Sequence, residues 1–301
     1  MGGAQAQGMH TENHYYGHAG ILRAYCGLAA GDRRPLAGCL QHGWQPGTGL
    51  GASPPPTPWR RFIWSRRNLE ACRAAGLRRV VPIGSPLLYL PGSADAAPAP
   101  RSLLALPFHG WERARVGSIR EGYVAYADEL DGLRRKGEFD RITVCLYWLE
   151  HEDAALREVF TLRGCEVVTA GHRDENPDFL PQLRRLILAH ACTTANRIAT
   201  CTFYALHLGR PFFRFGPAMD LGDGSEAARF RAWEEAEFPT LLHENFDGRP
   251  QPELGAHELG LEFRQSPEAL RRLLGLSGRR LDIALWQAAR SVWRLGRKAA
   301  P

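Results

Sequence analysis

The 301-residue chain is almost without lysine: Lys136 and Lys298 are the only two, so arginine carries nearly all of its positive charge. It has no run of eighteen uncharged apolar residues, which excludes a conventional transmembrane helix. Met1–His10 is polar and glycine-rich, with neither a basic start nor an apolar core. No secretory signal peptide is expected there, and residues 1–11 are expected to be disordered. There is no Walker A run and no His-Glu-x-x-His, and Glu129-x-Asp131 in a helix would point two ways. No bound metal is expected. Gly47-Thr48-Gly49-Leu50-Gly51 imitates part of a dinucleotide fingerprint, but Ser53-Pro54-Pro55-Pro56 follows where a helix is required. The seven cysteines are odd in number and form no Cys-x-x-Cys pair. A zinc site and a disulfide framework are both disfavoured, and a reducing cytoplasmic setting fits.

What is present is globular: 44% hydrophobic and 23% charged residues argue against wholesale disorder. The length is generous for one core and comfortable for two lobes. The net charge of +6 is local. Trp59–Arg79 holds seven Arg against Glu70, and Ser277–Pro301 holds five Arg and Lys298 against Asp282. The remainder is therefore slightly acidic. Two basic patches on such a body point to a phosphate-rich ligand or an anionic membrane surface. No recognised nucleic-acid module accompanies them, so no nucleic-acid partner is expected.

Apolar runs and turn residues predict strands at 36–41, 61–64, 80–83, 103–108, 142–149, 165–169, 191–194 and 212–215. Helices are predicted at 12–28, 65–75, 121–136, 153–163, from Asp178, at 196–208 and from Glu226. Ser65 and Gly76 read as the caps of the second helix. The alternation indicates an α/β protein with parallel sheets. Pro91–Pro100 is the clearest linker. It separates an amino-terminal Rossmann-like lobe (12–98) from a second Rossmann-like, doubly wound lobe (99–276), with a cleft between them. Residues 277–301 are expected to form a basic amphipathic helix, because Leu281, Leu285, Ala288, Val292 and Leu295 recur at spacings of three and four. Trp286, Trp293 and the basic residues suit an interface with lipid.

In open parallel sheets ligands bind beyond the carboxyl ends of the strands. Four polar clusters fall there. His42-Gly43 follows the first strand, and His42 is placed to act as general base. His109, with Glu112, can do the same work in the second lobe. His172-Arg173 brings an imidazole and a permanent cation suited to phosphate oxygens. Thr193-Thr194-Ala195-Asn196 lies where a strand gives way to a helix, whose free N–H groups favour phosphate. Turn and capping duties alone would also account for each cluster taken singly.

Taken in order, several stretches resemble bacterial surface-polysaccharide (capsular or lipopolysaccharide-type) glycosyltransferases of the two-Rossmann-lobe, GT-B kind. They are Leu40-Gln41-His42-Gly43-Trp44, Phe62-Ile63-Trp64-Ser65, Ile83-Gly84-Ser85-Pro86 and Leu106-Pro107-Phe108-His109. The densest run goes from Val167 through Gly171-His172-Arg173 to Thr193-Thr194-Ala195-Asn196 and on to Gly209-Arg210-Pro211. The resemblance implies metal-independent sugar transfer from a nucleotide-sugar donor, used as co-substrate, to a glycan or glycolipid acceptor. It implies that His172, Arg173, Thr193, Thr194 and Asn196 contact the nucleotide-sugar, and that His42 supplies the base, His109 with Glu112 remaining the alternative read from the residues. A nucleotide-sugar epimerase or hydrolase on the same fold, or a non-catalytic assembly subunit, are the alternatives. The expected location is the cytoplasm, peripheral to the inner face of the membrane.

Overall fold

The computed structural model describes residues 11–50, 59–92, 97–110, 119–219 and 226–277. A short 3-10 stretch (Thr11–Gly17) leads into α1 (His18–Tyr25), then β1 (Gly38–Leu40), β2 (Arg60–Ile63), α2 (Arg66–Ala74) and β3 (Val80–Pro82). There follow β4 (Ala99–Ala105), α3 (Ile119–Arg135), β5 (Arg141–Leu146), α4 (Trp148–Glu152), α5 (Ala154–Thr161) and β6 (Glu166–Thr169). The remainder is α6 (Phe179–Ala189), β7 (His190–Ala195), α7 (Thr200–His207), β8 (Phe212–Arg214), α8 (Ala227–Glu237), α9 (Pro252–Leu259) and α10 (Pro267–Leu273). The fold is α/β with two parallel sheets, β1-β2-β3 and β6-β5-β4-β7-β8.

The chain divides into two compact units. The first holds the residues up to Pro91 and those from Gly260, and the second holds Gly92–Leu259. This corrects the expected extent of the second lobe: 260–276 belongs with the first unit. The reason is visible in its bonds. Ala37 N donates to Leu274 O, Gln265 N to the Tyr89 hydroxyl, and Arg264 Nε to Leu88 O. Gly260 turns the chain at φ +72, where a Cβ would stand 1.9 Å from Trp64 O; no other residue fits.

In the first unit, strands of three or four residues rely on side-chain clamps. Asn13 lies along β1, its Nδ2 donating to Gly38 O and its Oδ1 accepting from Leu40 N. Gln41 Oε1 accepts from Trp64 N and its Nε2 donates to Gly43 O, which ties the ends of β1 and β2 together. Ser65 caps α2 by accepting from Asn68 N, as expected.

The second unit is built around a continuous apolar core. α3 contributes Tyr123, Tyr126, Ala127, Leu130 and Leu133 at helical spacing. They meet Leu103, Ile142, Val144 and Leu146 from the sheet and Leu156, Val159 and Phe160 from α5. Fully burying one such large side chain contributes roughly 1.5–3 kcal/mol, so this cluster dominates the unit's stability. Its first strand starts earlier than the sequence suggests, at Ala99 inside the expected linker. The ladder skips between Ala99 and Leu103, and that irregularity accommodates Pro100, which has no N–H.

Candidate functional site

The five-stranded order puts the topological switch point between β4 and β7, whose connections depart to opposite sides. The loops at the carboxyl ends of the strands therefore frame the candidate site of the second unit. Across the sheet they are Gly171-His172-Arg173, Tyr147-Trp148, Phe108-His109-Gly110, Asn196-Arg197-Ile198 and Phe215-Gly216-Pro217.

Several expected residues meet there. The half-buried His109 ring stacks on Tyr147 at 4.2 Å between centroids, with planes 11° apart. Gly110 N donates to Glu150 Oε1 at 3.3 Å, so a buried carboxylate supports this loop. Glu112 lies outside the described residues. His172 packs on Trp148 at 4.0 Å, and its Nδ1 accepts from Asp174 N. Arg173 is paired with Asp174 at 3.0 Å, with its side chain 15% exposed.

The threonine cluster is a correction. Thr193 and Thr194 lie within β7 and are fully buried. Their hydroxyls donate to Pro211 O and Phe213 O on the β8 side. Asn196 is buried as well: its Oδ1 accepts from Phe108 N and its Nδ2 donates to Pro217 O. It stitches together the loops after β4, β7 and β8. The helix that follows starts at Thr200, not at Asn196, because Asn196 to Ala199 is held out of helical form. Ile198 N donates to Glu234 Oε1, and Ala199 N to Thr202 Oγ1. The amino-terminal end of α7, where the helix dipole is positive, thus stands at Thr200.

Three residues that the sequence reading missed complete the edge. The Arg197 guanidinium lies 3.7 Å from the Phe230 ring centroid and 4.5 Å from that of Phe108, beside the switch point. The polar cluster recognisable in the sequence ends one residue before it, at Asn196. Glu234 and Arg214 are both buried, 3.7 Å apart, and Arg214 also reaches Glu235 at 3.0 Å. Burial pushes the Glu234 carboxyl up to about 7, against the pull of Ile198 N–H and Arg214. Nothing in the run Glu234-Glu235-Ala236-Glu237 distinguishes Glu234; only its burial does. Beyond β8 lies a cavity of about 290 Å³ lined by Arg214, Phe215, Arg231, Glu235 and His243. Ligand pockets usually measure about 300–1,000 Å³, so this one suits a fragment rather than a whole nucleotide sugar.

In the first unit, His42 follows β1 at the carboxyl end and is half-buried, its ring 6.0 Å from Tyr15. His18 nearby is fully buried, and neither of its ring nitrogens has a hydrogen-bond partner. Burial, with His42 acting in the same sense, lowers its pKa to about 3. Tyr16, next to it, adopts a left-handed backbone at φ 58. Among the described residues no group of three or more His, Cys, Asp or Glu is arranged to hold a metal ion. The basic C-terminal helix expected from 277 lies almost wholly outside the described residues. Among those residues no helix is long and apolar enough to cross a membrane.

No protein-family model matches the chain, and no curated protein does. Among solved structures it is distantly similar to the UDP-GlcNAc 2-epimerase from Neisseria meningitidis bound to UDP-GlcNAc, with TM-score 0.35 and 11% identity over 66% of this chain and 59% of that one. A second is Phytolacca americana UGT2 complexed with UDP-2-fluoro-glucose and pterostilbene, with TM-score 0.30 and 12% identity over 78% and 54%. A third is the wall teichoic acid polymerase TagF, with TM-score 0.31 and 14% identity over 72% and 54%. The chain spans less than two thirds of the length of each.

Proposed function

We propose that the protein is a nucleotide-sugar-dependent glycosyltransferase that acts on a surface-polysaccharide or glycolipid acceptor. The observation that carries this reading is the switch-point edge of the second unit. There Arg197, clamped over Phe108 and Phe230, stands three residues before the start of α7. A fixed guanidinium and a helix start are a combination suited to a diphosphate. His172 and Arg173, three strands away, extend the polar edge.

In transfer, the acceptor hydroxyl loses its proton to a base as its oxygen attacks the anomeric carbon. The bond from that carbon to the diphosphate breaks, and the departing charge is held by Arg197 and backbone N–H groups. The base is assigned to His42 or His109, each of which follows the carboxyl end of the first strand of its sheet. Loss of the base lowers kcat by about 10²–10⁴-fold with little change in donor affinity. Alanine at each position identifies which one serves.

A thermal-shift screen against CMP-, CDP-, GDP-, UDP- and dTDP-sugars tests the reading, because a ligand of the native state raises its apparent stability. One nucleotide class should stand out, and the donor should be consumed only when acceptor is added. If none shifts the protein, the reading fails. Conversion of the donor without acceptor would establish an epimerase or hydrolase instead.

A further inference from the structure

We propose that the amino-terminal edge of the three-stranded sheet is a docking surface for an anionic lipid bilayer. The inference is independent of the sugar-transfer reading, since it concerns the edge opposite the one that carries His42.

Its basis is the direction of the strands. β1, β2 and β3 are all parallel, so their starts line up along one edge, about 4.8 Å apart. Arg33 and Arg34 precede β1, Arg60 opens β2, and Arg78 and Arg79 precede β3; all five are exposed. Arg61 N donates to Arg79 O, which fixes the second and third starts side by side. The end of α10 joins the row. Arg60 Nη1 donates to Leu273 O, while Arg34 Nη1 and Arg271 Nε both reach Leu276 O. Leu273 O ends α10, where cations are favoured, and Leu276 follows three residues later. Arg272 is exposed beside them. Asp32, already paired with Arg34, is the one carboxylate in residues 31–37, 59–61, 76–82 and 271–277.

The charge of the chain is divided in the same sense. The stretches of the first unit, 1–91 and 260–301, hold 19 Lys and Arg against 6 Asp and Glu, a net +13. The second unit, 92–259, holds 19 against 26, a net −7. Ligands of a parallel α/β sheet bind at the carboxyl ends of its strands. An arginine row at the other end is thus not explained by a substrate.

The sequence that continues from this edge selects the partner. After Ser277, residues 278–301 contain Arg279, Arg280, Arg290, Arg294, Arg297 and Lys298 against Asp282, with Trp286, Trp293 and the apolar residues at spacings of three and four. Tryptophan and a basic amphipathic pattern belong to the membrane–water interface. A nucleic acid would use the cations but would give the leucines no role.

The test is co-sedimentation of the full chain with vesicles of phosphatidylcholine alone or with about 30% phosphatidylglycerol. The protein should bind only the anionic vesicles and be released by about 0.5 M salt. Arg33→Glu, Arg78→Glu and Arg272→Glu together should weaken binding by about 100-fold or more. Arg185→Glu, Arg229→Glu and Arg249→Glu, on the second unit, should leave it unchanged. If the charge-reversed triple fails to fold, the corresponding Gln triple, which neutralises the same positions, replaces it. The proposal is overturned if the edge triple binds like wild type, if both triples lose binding equally, or if the wild type prefers random-sequence duplex to the anionic vesicles.

Discussion

The first unit makes its sheet from strands of three or four residues, whereas the second has strands of up to seven and a core that runs from α3 through the sheet to α5. Short strands bury little per residue, so the first unit depends on particular atoms: the Asn13 amide, the Gln41 amide and the bare backbone of Gly260. The second depends on apolar area, which no single residue dominates. Their charges differ as well, one unit strongly basic and the other acidic. Clamped, basic structure thus stands beside packed, acidic structure in one chain, and a substitution should act differently in each.

The largest contrast is expected at glycines. Gly260→Ala must place a Cβ on Trp64 O in a left-handed turn, and no neighbouring side chain can yield to relieve it. A loss of about 3 kcal/mol or more is expected, read by denaturant melts of the variant. Tolerance of alanine there would mean that the return of the chain at Gly260 is not held as described.

The buried titratable groups give the next contrast, in sign. The His18 pKa is depressed in the folded first unit, from 6.5 to about 3. The unfolded chain then binds the extra proton, so this group lowers stability as pH falls from about 6.5 towards 3. Glu234 is raised in the folded second unit, from 4.5 to about 7. Here the folded state keeps the proton longer, so the contribution is full below about 4.5 and is lost as pH rises through 7. His18→Phe should flatten the acid side of the stability profile, and Glu234→Gln the side between pH 4.5 and 7. The opposite assignment of the two slopes would refute the placement of both groups.

A smaller effect sharpens the comparison from the favourable side. Gly132 lies within α3, and a Cβ there would meet nothing within 4 Å. Gly132→Ala should therefore stabilise the protein by about 0.5–1 kcal/mol. A destabilised variant would show that this face of α3 is more crowded than its packing implies.

Most of the architecture was legible in the sequence because hydrophobic period and turn residues are local. The Ser65 cap, the strand before His42 and the alternation of strand and helix all follow from neighbours in the chain. What failed depended on partners far away. The hydroxyls of Thr193 and Thr194 look available in sequence, yet Pro211 O and Phe213 O take them. Asn196 looks like a helix cap, but contacts with Phe108 and Pro217 hold it as a staple. The return of 260–276 to the first unit rests on bonds to Ala37, Leu88 and Tyr89, which no local pattern announces. Arg197 and Glu234 acquire their significance only from the rings and the guanidinium around them.

In the proposed function, the switch-point edge of the second unit holds the diphosphate of a nucleotide sugar, with Arg197 as its fixed cation. Isothermal titration of the nucleotide sugar selected by the screen, against wild type and Arg197→Ala, measures this directly. Loss of one charge-assisted contact should weaken binding by about 1–3 kcal/mol, roughly 5- to 150-fold, with the fold intact. An Arg197→Ala protein that binds the donor as tightly as wild type would take Arg197 out of the site and move the diphosphate elsewhere.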